Sequence, residues 1–339
     1  MRYFIFTLLI FSIGSFNCHS QTITGTVLDS NTQQPLEAVS IYFDNTTIGT
    51  TTNAEGKFSI SYNDAIKSVL IISYLGYQKE VISNYRNQNN MTVLLKESFD
   101  SLDEVVVNAD DGLTREQKLK IFRREFLGKS TFANSCTILN EKDLVLRYYK
   151  NERKLYASSK VPVIFQNKSL QYEVSYDINL FEIDFIEVKI TKDYEIFDVR
   201  MVTYEGSVFY KNLENYNERT ATRNRDKAYK GSVIEFFRAI YNNELKTKGY
   251  QIYDKKFLVS PSDLIIITPN EHPDLKKLSL KKPITIIHNK QGSTMKLNVP
   301  EILIDKYGNY SNSTKVEFSG YMANQRVGDL VPLDYNLGK

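Results

Sequence analysis

Three turns that must fall in register constrain this chain more than any other feature. Between Thr22 and Leu95, apolar residues alternate with polar ones at Ile23 and Val27, at Val39, Ile41 and Phe43, and at Phe58 and Ile60. Alternation of this kind turns one face of each segment to a core and the other to water. The runs are separated by Asp29-Ser30-Asn31 with Pro35, by Asn53 to Gly56, and by Gly76. Asp and Asn close turns through their own side chains, and Gly tolerates positive φ. The spacing predicts a small antiparallel β-sandwich over residues 21–97.

The motif Gly25-x-Val27, Pro35-Leu36-x-x-Val39 and Thr52-Asn53-x-x-Gly56-x-Phe58 resembles the carboxypeptidase regulatory-like domain. This is the transthyretin-like, or prealbumin-like, sandwich found at the N-terminus of many Gram-negative envelope proteins, TonB-dependent transporters among them. In that family an Asp often stands where Asn53 is, which leaves turn closure unchanged. The resemblance implies a fold and a cell-envelope setting, but no reaction.

Ahead of the sandwich, Arg2 is followed by an almost wholly apolar run from Tyr3 to Ile13 and then by Cys18-His19-Ser20. The run is short for a membrane span and has the layout of a secretory signal peptide over residues 1–20, cleaved before Gln21. A lipoprotein signal acylated at Cys18 is the rival reading, against which Phe16 and Asn17 are bulky where small residues are usual. The expected product is secreted across the inner membrane, is periplasmic or outer-membrane associated, and carries no transmembrane span. Its single remaining cysteine, Cys136, allows no intramolecular disulfide. The formal charge of the whole sequence is +3, from 43 Lys and Arg against 40 Asp and Glu. So even a balance gives no electrostatic reason to expect nucleic acid as a partner.

Residues 98–113 read as a linker containing Leu102-Asp103-Glu104-Val105-Val106-Val107. This resembles the segment that follows the same sandwich in TonB-dependent transporters, which implies strand addition to an envelope partner. Pairing with the chain's own sandwich explains the pattern equally well. No plug domain or large barrel is expected after it, so a complete transporter is not the reading.

Residues 114–339 are expected to form an α+β domain, making the whole a β-rich, two-domain protein. Thr114 and Gln117 are spaced as a capping box for a helix ending at Gly128, with Leu119, Phe122 and Phe126 on one stripe. A second capping box, Ser232 with Glu235, starts a helical stretch expected to run through Leu245 to a stop at Gly249. Leu170 to Leu180 alternates over eleven residues, and further strands are expected at 144–150, 196–204, 264–268, 283–289, 295–299 and 316–321. A membrane barrel alternates in the same way, but two amphipathic helices favour a packed α+β arrangement. Three stretches of this region, FLGKSTFANSCTILN from Phe126, RDKAYKGSVIEFFRAIYNNELKTKGYQIY from Arg225 and SGYMANQRVGDLVPLDY from Ser319, resemble the C-terminal region of proteins known only as carboxypeptidase regulatory-like domain-containing. That resemblance implies architecture and compartment. It also implies a His where Glu235 stands, so no imidazole role carries over.

Chemistry has few footholds. His272 and His288 lack a partner at metal-ligand spacing, so no zinc site or other cofactor is expected. Cys136 has no evident base, and neither a nucleophile elbow nor a phosphate loop occurs. The densest positive run is Arg219, Arg223, Arg225, Lys227 and Lys230. Together with Tyr229 and the helix start at Ser232 it offers a candidate anion-binding set: Arg223, Arg225, Lys227, Tyr229 and Ser232. A solvated face with Glu218 and Asp226 interspersed is the plain alternative, and Arg326 with Asp329 reads as a pair pinning the chain near its end. The expected function is binding or scaffolding of an envelope protein or polymer without catalysis. Two alternatives stay open: a hydrolase using Asp177, Glu173 or Glu235 on envelope peptide or glycan, and an accessory module of an outer-membrane transport system.

Overall fold

The computed structural model describes residues 20–63, 68–88, 90–98 and 112–337. The leader, apart from Ser20, and the Leu102 to Val107 strand lie outside the described residues.

Among the described residues, seven strands form the sandwich. In one sheet β1 (Ser20–Asp29) lies between β4 (Lys57–Asn63) and β7 (Met91–Leu95). In the other, β2 (Ser40–Phe43) lies between β3 (Gly49–Thr51) and β5 (Leu70–Ser73), with β6 (Glu80–Ile82) beyond β5. Ile23, Val27, Val39, Ile41, Phe43, Phe58 and Ile60 are all buried in one cluster, as their alternation requires. Asn53 Oδ1 closes its turn by accepting from the amides of Glu55 and Lys57 at 3.2 and 2.8 Å. One pairing departs from the antiparallel expectation: β7 runs parallel to β1, with Gly25 opposite Met91. The chain reaches β7 by crossing from the other sheet through the helical turn at Tyr85–Asn87, and such a crossover sets strand direction without marking either strand's residue pattern. A Cβ on Gly25 would stand 2.5 Å from the Met91 carbonyl oxygen, so the pairing demands glycine.

The body begins with α1 (Arg115–Leu127), whose Thr114–Gln117 capping box forms as the spacing predicts. Its Phe122 and Phe126 rings stack at 4.8 Å and press on Phe181. Beneath it lies a six-stranded sheet of β8 (Cys136–Ile138), β9 (Leu144–Tyr149), β10 (Lys154–Ser159), β11 (Val163–Asn167), β12 (Tyr172–Ile190) and β13 (Glu195–Asn212). β12 and β13 pair along their whole length as a long hairpin, well past the 170–180 and 196–204 expected. On its other edge β12 is shared: β11 pairs with residues 172–176 and β10 with residues 182–184.

Two helices follow, α2 (Glu218–Tyr229) and α3 (Val233–Tyr241). Ser232 caps α3, but Glu235 turns its carboxylate to the Gly231 amide rather than to that of Ser232, so the expected capping box is replaced by a neighbouring bond. The helix ends four residues before Leu245, because Asn243 takes up φ +59° and the Glu244 amide bonds back to Ala239. The chain then builds β14 (Gln251–Asp254), β15 (Phe257–Val259), β16 (Ile265–Pro269), β17 (Leu275–Leu280), β18 (Ile284–His288), β19 (Gln291–Leu297), β20 (Ile302–Asp305) and β21 (Val316–Gly320). These form two sheets, β15-β14-β18-β19-β21 and β16-β17-β20. The region expected as one α+β domain thus holds two apolar clusters: one of α1 with the six-stranded sheet, the other of α3 with the last eight strands.

The sandwich does not close all of its own backbone. The Asn45 amide donates to Val208 O at 2.7 Å, the Tyr210 amide to Thr46 O at 3.0 Å, and the Leu333 amide to Asn45 O at 2.7 Å. Asp44 accepts from the Val208 amide, Lys79 pairs with Asp177 at 2.6 Å, and Tyr42 packs on Phe209. A strip of β13 and the 331–334 segment therefore seat the sandwich by hydrogen bonds as well as by apolar contact.

Candidate functional site

The basic run folds as α2, and the helix divides it. Asn217 caps the helix by accepting from the Thr220 amide. Ala221, Arg225, Ala228 and Tyr229 face inward, and the two alanines let the helix lie close to its neighbours. Arg219, Arg223, Lys227 and Lys230, spaced by four, four and three, remain exposed along the outer face. They line an open groove of about 520 Å³ with Thr222 and Asp226. None of the four cations makes an ion pair or side-chain hydrogen bond among the described residues. Asp226, the acid among them, is engaged by the Tyr335 hydroxyl at 2.7 Å. Burial and that carboxylate both push the Tyr335 phenol up, so it stays protonated and donating.

Of the five residues singled out from sequence, Arg223 and Lys227 meet in this groove and three do not reach it. Arg225 is 8% exposed and has its guanidinium 3.5 Å from the Tyr172 ring centroid. It donates to Leu170 O, Gln171 O and Asn212 Oδ1, and burial lowers its pKa. Tyr229 is buried and accepts from Arg238 Nη1 at 3.2 Å. Ser232 is occupied with the Glu235 amide. These are fastenings of the helix rather than ligand contacts.

Sequence reasoning missed Arg238. It sits in the last turn of α3 and is 7% exposed, with no acid bonded to it among the described residues. Its donors go instead to Tyr307 O, Leu333 O, Tyr335 O and the Tyr229 hydroxyl. An Arg among the apolar residues Ile234, Phe236, Phe237 and Ile240 was the available signal. Arg326 and Asp329 also depart from a simple pair: the guanidinium lies 3.8 Å from Glu125, while the Asp329 carboxylate accepts from the Ser130 hydroxyl and the Arg326 amide.

The acids of the hydrolase alternative have separate partners. Asp177 pairs with Lys79, Glu173 accepts from Gln166 Nε2 at 3.1 Å, and Glu235 is buried with the Gly231 amide and the Tyr250 hydroxyl. Cys136 is pushed up to about 12, first by burial and then by Asp329, which makes it a poor thiolate. His288 stacks on Tyr250 at 4.3 Å and His272 accepts from the Asp274 amide. Among the described residues no group of three or more His, Cys, Asp or Glu is placed to hold a metal ion. No helix among them is long and apolar enough to cross a membrane.

The sandwich defines the class of module at the front of the chain: residues 23–107 match the CarboxypepD_reg-like domain family. Two curated proteins are similar to about a third of the chain. The TonB-dependent receptor P39 of Formosa agariphila is 31% identical over 106 residues, and the TonB-dependent receptor SusC of Bacteroides thetaiotaomicron is 32% identical over 110 residues. In each case the match covers 31% of this chain and 10% of the receptor. The chain thus spans about a tenth of the length of the curated relatives it matches.

Proposed function

We propose that this protein is a binding and scaffolding protein of the cell envelope, without a catalytic role, that holds an extended anionic polymer along α2. The observation that carries the reading is the row of Arg219, Arg223, Lys227 and Lys230, exposed on one face and unneutralised among the described residues. Eleven residues of helix span about 16 Å, a length suited to a series of charges rather than a single anion. In this reading residues 1–20 are a signal peptide, 21–97 the sandwich module, 98–113 the connector and 114–339 the binding body. The likeness of the sandwich to that of two TonB-dependent receptors supports an envelope setting, periplasmic or at the outer membrane. The same likeness favours a second reading, an accessory module of an outer-membrane transport system that engages its partner through strand addition by Leu102 to Val107.

Retention on immobilised polygalacturonate, with neutral agarose as the control, tests the reading. The chain is expected to bind at low salt and to elute as ionic strength rises. Arg223→Glu combined with Lys227→Glu should weaken binding about tenfold, since two exposed charge contacts are together worth up to about 2 kcal/mol. The melting temperature should stay unchanged. Equal retention of the reversed variant overturns the reading.

A further inference from the structure

A different face of the body is built unlike its surroundings. β12 changes partner between residues 176 and 182, and a register shift falls between Ile178 and Leu180. Bulges of this kind re-aim side chains and interrupt pairing. β10 stays on β9 through Ser159, yet its pairing with β12 stops at Tyr156. A wedge therefore opens between β10 and β12, continuing into a groove of about 530 Å³ on the sheet's outer face.

The lining of the groove is mixed in a particular way. Tyr149, 39% exposed, and Tyr156 stand edge to face at 5.6 Å, so ring surface is offered to a ligand. Around them are Arg147, Glu152, Ser158 and Asn179. Farther along the same sheet the charges neutralise one another, Lys154 with Glu182 at 2.6 Å and Arg200 with Asp184 at 3.2 Å. At the wedge, Arg147 and Glu152 have no such partner among the described residues. Asn179 Oδ1 accepts from Lys79 Nζ at 3.1 Å, and its amide donors have no partner among the described residues. Donors and acceptors are thus present together, with opposite charges that cancel.

We propose that this groove binds a neutral oligosaccharide. A sugar ring presents C–H faces that pack on tyrosine, and hydroxyls that each both donate and accept, matching Arg, Glu, Ser and Asn side chains. A peptide added as a strand would need a straight unpaired edge of several residues, and the bulge breaks that edge. A polyanion would meet Glu152 as readily as Arg147. The site lies on β9, β10 and β12, apart from the basic row of α2, and does not rest on that row's function.

Affinity electrophoresis of the full chain in gels containing soluble neutral polysaccharide tests the proposal, with amylose, laminarin and xyloglucan as probes. Retardation by at least one of them is expected. Tyr149→Ala and Tyr156→Ala should each weaken it at least about tenfold, while Arg223→Glu with Lys227→Glu leaves it unchanged. Thermal melts of the same variants, expected to remain cooperative, keep a folding defect from imitating lost binding, and Tyr149→Phe should retain retardation. No retardation by any probe, or retardation unaffected by both alanine variants, overturns the proposal.

Discussion

The turns of the sandwich close their polar groups over a few residues of chain, whereas several buried side chains of the body reach across many. In the sandwich, Asp29 Oδ1 accepts from the amides of Asn31 and Thr32, two and three residues on, and Asn53 from amides two and four residues on. In the body, Arg225 reaches back 55 residues to Leu170, Arg238 forward 95 to Leu333, and Asn167 forward 161 to Gly328. A local bond forms part of a turn and is half made before the chain folds. A distant one contributes only when the rest of the structure is already in place, so its loss propagates further. Short-range closure makes a module that can recur in many proteins, whereas long-range closure ties a fold to its own whole sequence.

Loss of a distant bond should cost most at Arg238. Arg238→Ala leaves the carbonyls of Tyr307, Leu333 and Tyr335 without their donor in a buried site, and should cost about 3–5 kcal/mol. A urea melt of the full chain reads this directly, and Arg238→Lys should recover little, since one ammonium cannot replace the fork. A loss under about 1 kcal/mol would show that the distant bonds are ornamental.

Asn53→Ala should have a smaller effect, about 1 kcal/mol, because it removes one side-chain acceptor from a turn whose amides are near water. The same melt checks it, and a cost equal to that of Arg238→Ala would erase the contrast.

The mildest effect is a slope with pH, and its sign differs between the two regions. Asp29 is held below the ordinary carboxylate value, first by the Thr32 amide and then by the Tyr77 hydroxyl. Its contribution is present above the unfolded value near 3.8 and is lost as pH falls through the lower folded value. Asp44, at the seat of the sandwich on β13, is raised by burial against the pull of the Val208 and Asn45 amides and Lys79, with Asp177 adding to the rise. Its contribution is full below 3.8 and declines as pH rises through the folded value. Asp44→Asn, which keeps an acceptor for Val208, should therefore gain on the wild type between pH 4 and pH 7 in paired urea melts. A constant difference across that range would place Asp44 in a more solvated setting.

The same contrast explains what could be read from the sequence. The core of the sandwich was legible because Ile23, Val27, Ile41 and Phe58 follow period two and Asn53 and Gly56 punctuate it. The α1 cap was legible because Thr114 and Gln117 meet within one turn. The parallel course of β7 was not, since direction comes from a crossover and leaves no residue signature. At the basic run, composition marked the positive charge but not which of its members turn inward. Arg225 looks like its neighbours until Tyr172, more than fifty residues earlier, is placed beneath it. Arg238 was hidden for the same reason, its acceptors lying far along the chain. The tyrosine groove was hidden because it arises from a bulge and a change of strand partner.

The contact between Thr47 and Asp334 joins residues 287 positions apart. On a ribosome the turn at Thr47 emerges long before its carboxylate partner exists. The sandwich must wait with Asn45 and Thr47 unlatched for the synthesis of nearly the whole described chain. A strap that arrives this late leaves the Asn45 carbonyl and Thr47 open to water until residues 333 and 334 are made, whereas the Tyr42 ring is covered as soon as Phe209 is in place.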